Sequence, residues 1–192
     1  MAKEIVETDR FLLFWSGWPS QWHPARFVVD GVTYNCCEQY MMAEKARVFG
    51  DAAVLAKILA SSSPRDQKAF GRKVHGFDGD VWNGVCRGIV YAGNLARFGQ
   101  DDEMRRTLLA TGERTIIEAS PVDRIWGVGL APDDPRAQDP SHWRGTNWLG
   151  LAQMQVRDAL RRSTGANLGE PRDAELIKQL RRRATLDAKA RS

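Results

Sequence analysis

A helical stretch over residues 36–50 places charged residues within its own apolar stripe. In this stretch, CCEQYMMAEKARVFG, apolar residues recur at the spacing that forms one face of a helix; they are Met41, Met42, Val48 and Phe49. Glu38 and Lys45 stand three residues before and four residues after Met41, and therefore lie on the same face. A helix that packs with this face has to accommodate a carboxylate and an amine.

Periodicity and capping residues predict the other elements. Helices are expected over residues 51–60 with Asp51 as N-cap, in a short segment with Pro64 in its first turn, over 80–98 and 101–110, and from Asn147 onwards. Asp30-Gly31 between apolar residues predicts a hairpin, and residues 115–119 and 124–129 are predicted strands around a turn, followed by a long loop. The predicted fold class is α+β, a mainly helical single domain around a small antiparallel sheet.

The positive charge of the chain lies in its last residues. The formal net charge is +4 over 192 residues, and residues 172–192 hold seven Lys/Arg against three Asp/Glu. The remainder is balanced, so its composition does not indicate a nucleic-acid clamp. We expect a domain over residues 1–162, a linker over 163–171 and a basic helical tail over 172–192.

Composition also bears on location and on cofactors. The three cysteines, Cys36, Cys37 and Cys86, have no paired spacing, and the three histidines form no ligand motif, so neither a disulfide framework nor a metal site is expected. No apolar run reaches the ~20 residues that a membrane span needs, and the N-terminus carries acids where a secretory signal is apolar. We therefore expect a cytoplasmic protein without membrane contact or cofactor.

Five stretches, in this order along the chain, carry a resemblance to a known family. They read SQWHPARFVVDGVTY, EQYMMAEKA, FGR, LLATGERTIIEASPVDRIWGVG and GTNWLGLAQMQVR. As an ordered set they resemble the NADAR family, also called the YbiA-like family, over roughly residues 11–162. The resemblance implies an N-glycosidase that hydrolyses a bond between ribose C1′ and nitrogen. The substrates it implies are phosphorylated ribosylamino-pyrimidine intermediates of riboflavin synthesis, or ADP-ribose attached to guanine in nucleic acid.

The resemblance also assigns positions in this sequence. Glu38 and Lys45 match the acidic and lysine positions of the family's first helix. A D-x-x-W-G turn of the family matches Asp123, Trp126 and Gly127, and its N-x-L-G helix start matches Asn147 and Gly150. Three positions depart from the family pattern, namely Gln39, Met42 and Val128, and the departures leave the substrate more open than the reaction type.

Cleavage of an N-glycoside needs a carboxylate near the sugar and a proton for the leaving nitrogen. Either Glu38 or Asp123 activates a water, or Lys45 attacks the anomeric carbon and forms an imine, which requires a neutral amine. The alternative for Glu38 and Lys45 is an ordinary half-buried helix flank with a solvated lysine. Asp123 is equally explained as a turn residue, and a thiol nucleophile at Cys36 or Cys37 lacks a histidine nearby in sequence.

The remaining candidates would bind substrate. Trp126 beside Gly127 offers a stacking face, as do Trp22, Trp82 and Trp143, although packing explains each of them too. Asn147 is a candidate helix N-cap and a candidate ligand contact, two roles that are compatible, and the helix start that follows Gly145 would cradle a phosphate. Arg72 would pair with a phosphate or is simply a surface arginine. The expected partner is a small phosphorylated ribosyl or ADP-ribosyl substrate.

Three functions from different classes therefore remain open. The chain is an N-glycosidase of a small metabolite, a glycohydrolase that removes ADP-ribose from guanine in nucleic acid, or a module that binds ADP-ribose without catalysis. The balanced charge of residues 1–171 favours a small substrate. The tail, residues 172–192, would contact nucleic acid through its Lys and Arg residues, or is a solvated helix without a ligand.

Overall fold

A computed structural model describes residues 4–163 and 174–189 of the chain. The strands are β1 (Ile5–Glu7), β2 (Phe11–Phe14), β3 (Phe27–Val29), β4 (Val32–Tyr34) and β5 (Thr115–Glu118). The helices are α1 (Cys37–Val48), α2 (Ala52–Ala60), α3 (Pro64–Gly71), α4 (Gly79–Gln100), α5 (Asp102–Ala110), α6 (Trp148–Arg162) and α7 (Ala174–Lys189). The predicted α+β class is confirmed. No helix among the described residues combines the length and apolar composition needed to cross a membrane.

The predicted helices form where capping residues mark their starts. The Asp51 carboxylate accepts a hydrogen bond from the backbone N–H of Val54, and the Ser63 hydroxyl accepts one from Asp66, directly before Pro64. The predicted hairpin is also confirmed: β3 and β4 pair antiparallel around Asp30 and Gly31, whose φ angles are 50° and 75°.

The strand prediction for residues 124–129 is wrong. The backbone N–H groups of Ile125 and Trp126 both donate to the Asp123 carboxylate, and the N–H of Gly129 donates to the Asp123 carbonyl. These local bonds close a turn and leave no extended ladder for a strand. Two strands that the sequence did not predict, β1 and β2, take part in the sheet instead.

The larger sheet is mixed rather than purely antiparallel. Its order is β1-β2-β5, with β1 antiparallel and β5 parallel to the central β2. All four residues of β2 are buried, which is typical of a strand covered on both faces. Residues of β2 and β5 share a core cluster with the segment after the turn: Phe11, Leu13, Ile117, Ala119, Val128, Leu130 and Ala137.

The chain divides into two compact units. The first comprises residues 1–23 and 98–168, and the second comprises residues 24–97 and 169–192. The predicted linker lies outside the described residues except for Ser163, so the boundary between domain and tail stays a prediction. The helix α7 belongs to the second unit, where it packs on α1.

The second unit is built around α1, which also packs on α2 and α3. Gln39, on α1, accepts a hydrogen bond from Asn35 N–H and donates to the carbonyls of Ile58 and Ser61, which fixes the end of α2. Met42 packs on Gly71, where an added Cβ would approach its Cγ to 2.8 Å. The departures from the family pattern at Gln39, Met42 and Val128 are therefore all buried packing positions.

In the first unit, α6 starts in direct contact with β5. The fully buried side chain of Asn147 accepts a hydrogen bond from Glu118 N–H and donates one to the Ile116 carbonyl, each at 2.9 Å. One turn later Gly150 lies against the same strand. A Cβ at this position would overlap the Ile116 carbonyl oxygen and lie 2.6 Å from Asn147 Oδ1. The close approach of helix and strand therefore requires glycine.

We expect Gly150→Ala to destabilise the fold by about 1–3 kcal/mol, since the added methyl group forces α6 away from β5. The matched control is Gly84→Ala in α4, where nothing lies within 4 Å of a built Cβ. That change should be neutral or stabilise by up to about 1 kcal/mol through helix propensity. Urea unfolding of both variants makes the measurement, and equal stabilities would contradict the close-approach account.

Candidate active site

The residues predicted for the site fall into two groups, one in each unit. The second unit holds Glu38, Lys45, Arg72 and Trp82. The first unit holds Trp22, Asp123, Trp126, Gly127, Asn147 and Gly150. Each group has its own geometry, and the second-unit group contains the acid and the amine of α1.

Glu38 lies in the first turn of α1, and only 2% of its surface is exposed. The positive end of the helix dipole favours a carboxylate at this position. Cys36 precedes the helix and accepts a hydrogen bond from Gln39 N–H through its sulfur. The buried setting keeps the Glu38 side chain out of bulk solvent, which argues against a solvated helix flank at this position.

Lys45 lies in the last turn of α1 and is half-buried against aromatic rings. Its Nζ is 4.0 Å from the centroid of the Phe77 ring and 5.6 Å from that of Trp82. Burial, followed by the positive charge of Arg72, lowers the pKa of Lys45 below its ordinary value. Of the two opposing effects that the sequence left open, desolvation and a nearby carboxylate, desolvation therefore sets the direction in which the Lys45 pKa moves.

Arg72 and Trp82 approach Lys45 from other elements of the second unit. Arg72 is the C-cap of α3 and is exposed, and its charge acts on Lys45. Trp82 lies in the first turn of α4 and is half-buried. Sequence reasoning missed Phe77, whose only signal was an aromatic residue within the polar Gly- and Asp-rich segment before α4.

The thiols next to Glu38 are poor nucleophiles in this setting. Burial raises the pKa of Cys36 to about 11, and burial also raises the pKa of Cys37. Both thiols are therefore protonated near neutral pH, which argues against the thiol alternative. Within residues 4–163 and 174–189, no three His, Cys, Asp or Glu side chains group as ligands for a metal ion.

In the first unit, Asp123 organises the turn that precedes α6. Its Oδ1 accepts the two backbone hydrogen bonds that close the turn, from Ile125 at 2.9 Å and from Trp126 at 2.8 Å. Asp123 is therefore a turn residue that bonds the local backbone, which is one of its two predicted roles. In the part of the chain that the structure describes, Oδ2 accepts no hydrogen bond, so one oxygen remains for a further contact.

Trp126 and Gly127 connect this turn to α6. The Trp126 and Trp148 rings meet edge to face, with their centroids 5.8 Å apart. The backbone carbonyl of Trp126 accepts a hydrogen bond from Leu149 N–H. A Cβ on Gly127 would lie 2.7 Å from the Glu118 carbonyl oxygen, so the glycine allows backbone to pack on backbone. Trp126 is half-buried and keeps part of its ring accessible.

The start of α6 differs from the predicted phosphate cradle. Asn147 occupies the N-cap position with a left-handed backbone, φ 53°, and its side chain makes no capping hydrogen bond. Asn147 is thus the N-cap residue by position, as predicted, but its amide bonds β5 instead of the first turn of α6. The backbone N–H groups of Asn147 and Leu149 donate to the carbonyls of Gly127 and Trp126, which leaves fewer donors for a phosphate.

Two further tryptophans, Trp143 and Trp22, are candidates for stacking on the substrate. Trp143 packs against the core cluster of the first unit and donates through Nε1 to the Ala137 carbonyl at 2.8 Å, which supports the packing alternative. Trp22, which is 39% exposed, lies in the loop after β2. The second unit thus contains Glu38, Lys45, Arg72 and Trp82, and the first contains Trp22, Asp123, Trp126, Gly127, Asn147 and Gly150.

Comparison with known proteins agrees with the resemblance. Over 166 residues the chain is 36% identical to an N-glycosidase of Acanthamoeba polyphaga mimivirus, covering 80% of this chain and 98% of that protein. It is 30% identical over 132 residues to N-glycosidase YbiA of Escherichia coli, covering 69% of this chain and 74% of that one. The NMR structure of E. coli YbiA superposes with a TM-score of 0.67 at 27% identity, over 85% of this chain and 94% of that one.

A sequence model of the NADAR domain matches residues 13–161, which include every predicted site residue. The turn around Asp123 and the whole of α1 thus lie within the matched region. Together with its N-glycosidase relatives, this match shows that the chain belongs to the NADAR domain family.

Proposed function

We propose that this protein is an N-glycosidase that hydrolyses the ribose C1′–N bond of phosphorylated ribosylamino-pyrimidines, the early intermediates of riboflavin synthesis. The observation that carries the proposal is that one helix, α1, bears a buried carboxylate, Glu38, and a half-buried amine, Lys45. Family membership supports the reaction class. The balanced charge of residues 1–171 supports a small substrate over a long polyanion.

The transition state of this reaction carries positive charge on the sugar. A carboxylate held in a site that excludes water stabilises that charge more strongly than one in solvent. Glu38, at 2% exposure, has the required environment. We propose two roles for Glu38: its carboxylate stabilises the charge on the ribose, or it activates the attacking water. Asp123, whose Oδ2 accepts no hydrogen bond from the described residues, is the other candidate for activating the water.

Lys45 suits a covalent route. Its neutral Nζ attacks C1′, and the C1′–N bond breaks with its electron pair leaving on the base nitrogen. The base nitrogen takes up one of the two protons that Nζ loses, and O4′ takes up the other when the ring opens. Opening of the ring at O4′ gives an imine on Nζ, and water then hydrolyses the imine to release the ribose phosphate and regenerate the amine. The lowered pKa of Lys45 supports this route, because it raises the fraction of neutral amine.

Base release from two substrates tests the proposal. The purified protein is incubated with a ribosylamino-uracil phosphate and, separately, with an oligonucleotide carrying ADP-ribosylated guanine. We expect rapid release from the first. Release from the second alone would replace the proposed substrate with ADP-ribosylated guanine, and release from neither would favour a binding module.

Arg182→Gln, at an exposed position on α7, tests whether the tail contacts the oligonucleotide. If it does, oligonucleotide binding by the variant should depend less steeply on salt concentration than binding by the unsubstituted protein.

Glu38→Gln and Lys45→Met should each lower kcat by about 100-fold or more, since each removes a group that acts on the reacting bond. Borohydride added during turnover should trap a sugar adduct on Lys45 in the unsubstituted protein and in Glu38→Gln, and none in Lys45→Met. Lys57→Met, at an exposed position on α2, is the matched control and should retain full activity. Absence of an adduct with active enzyme would leave the water-activation route.

Arg72→Met should move the pH dependence of kcat to higher pH. The reactive amine is neutral, so activity rises as pH passes upward through the pKa of Lys45. The Arg72 charge lowers that pKa, and its removal raises it. Arg65→Met on the exposed face of α3 is the control and should leave the profile in place. A raised KM with an unmoved profile would instead assign Arg72 to substrate phosphate.

A further inference from the structure

Phe77 is an exposed aromatic residue whose ring is held in place. It is 48% exposed, yet its ring meets Phe49 edge to face at 5.4 Å and lies under Lys45 Nζ at 4.0 Å. A solvent-exposed phenylalanine with no role is free to choose rotamers. The contacts with Phe49 and Lys45 favour the position that the ring adopts here.

The backbone on both sides of Phe77 is fixed as well. Before it, the N–H of His75 donates to the Asp51 carboxylate at 2.9 Å, and Gly76 turns the chain with φ 68°. After it, the Asp78 carboxylate accepts hydrogen bonds from the N–H groups of Asp80 and Val81, which cap the start of α4. The segment is therefore anchored at both ends and presents the ring to Lys45.

The contact between this ring and Lys45 is electrostatic in character. An ammonium within about 6 Å of an aromatic centroid is attracted to the ring face, and the attraction grows as water is excluded. The same attraction acts on any positive charge at Nζ, including the protonated imine of the proposed route. The ring therefore both orients the amine and favours its charged forms.

We propose that Phe77 is a positioning residue, which holds Lys45 Nζ in place and stabilises positive charge on that atom. The inference rests on the proposed function for the assignment of Lys45 as the reactive amine. The coupling between Phe77 and Lys45 itself is independent of any substrate, so it is tested separately.

Other charges around Lys45 are accounted for. Arg72 from α3 is the charged group that acts on Lys45. The other charged groups and histidines that the structure describes on α1, on the helices packed against it and beside Phe77 are Glu38, Glu44 and Arg47 on α1, Lys57 on α2, Arg65, Asp66 and Lys68 on α3, Glu175, Lys178, Arg181 and Arg182 on α7, and Asp51, Lys73, His75, Asp78 and Asp80 near the ring. Glu44 is paired with Arg47 and Arg181, and Asp51 accepts hydrogen bonds from the backbone of Val54 and His75. Substitution of the neutral Phe77 leaves all of them unchanged.

Reductive methylation of the protein without substrate measures the neutral fraction of Lys45 as a function of pH, followed on the Lys45 peptide by mass spectrometry. In Phe77→Leu the amine loses the attraction that favours its charged form, so its titration moves to lower pH. Below the midpoint, methylation should be about two- to fivefold faster than in the unsubstituted protein. Phe77→Tyr keeps an aromatic face and should restore the original titration.

Phe70→Leu is the matched control, since Phe70 lies on α3 in the same unit and makes no cation–π contact with Lys45 among the described residues. It should leave the titration unmoved. An unmoved titration in Phe77→Leu, or an equal displacement in Phe77→Tyr, would overturn the inference. Circular dichroism of each variant verifies that the fold is retained.

Kinetics link the coupling to the reaction. With the ribosylamino-uracil phosphate, the rising limb of the kcat profile should move to lower pH in Phe77→Leu while its plateau falls. A purely structural role would lower the plateau without moving the limb. If methylation shifts as expected but the unsubstituted protein releases no base, the proposed function fails and the coupling between Phe77 and Lys45 stands.

Discussion

The second unit depends on burying a helix that is not apolar. Ten of the twelve residues of α1 are buried, and they include Glu38, Gln39 and Glu44. Burial of such groups is unfavourable unless each finds partners, so the surrounding elements are arranged to supply them. Gln39 bonds the end of α2, and Glu44 pairs with Arg47 on the same helix and with Arg181 on α7. A helix fixed in this way keeps its side chains in defined positions, which a catalytic group requires.

The first unit depends on close backbone approach instead. Gly127 and Gly150 allow carbonyl groups of β5 to lie where a side chain would stand, and the Asn147 amide bridges the same strand. Family positions that look like ligand contacts in a sequence thus also hold α6 to the sheet. Structural and binding roles are compatible for Asp123, because one carboxylate oxygen closes the turn and the other accepts no hydrogen bond from the described residues.

Local signals in the sequence predicted the helices and the hairpin, because capping residues, helical periodicity and Asp30-Gly31 act within a few residues. The strand β2 was missed because it is buried on both faces and shows no alternation. Residues 124–129 resembled a strand, but the carboxylate of Asp123 captures the backbone donors. The cation–π contact of Phe77 and the pairing of Glu44 with Arg181 join residues far apart in sequence, so no spacing rule could have found them.

The ion pair between α1 and α7 changes how the charge of the C-terminal residues is to be counted. Arg181 donates to the buried Glu44 carboxylate and also lies 3.2 Å from the Asp30 carboxylate. Its guanidinium is therefore neutralised within the second unit, and a polyanion in solution encounters fewer uncompensated cations than composition implies. Counterion release follows the number of phosphates actually neutralised, so any salt dependence of binding by this segment should be shallower than its seven basic residues indicate.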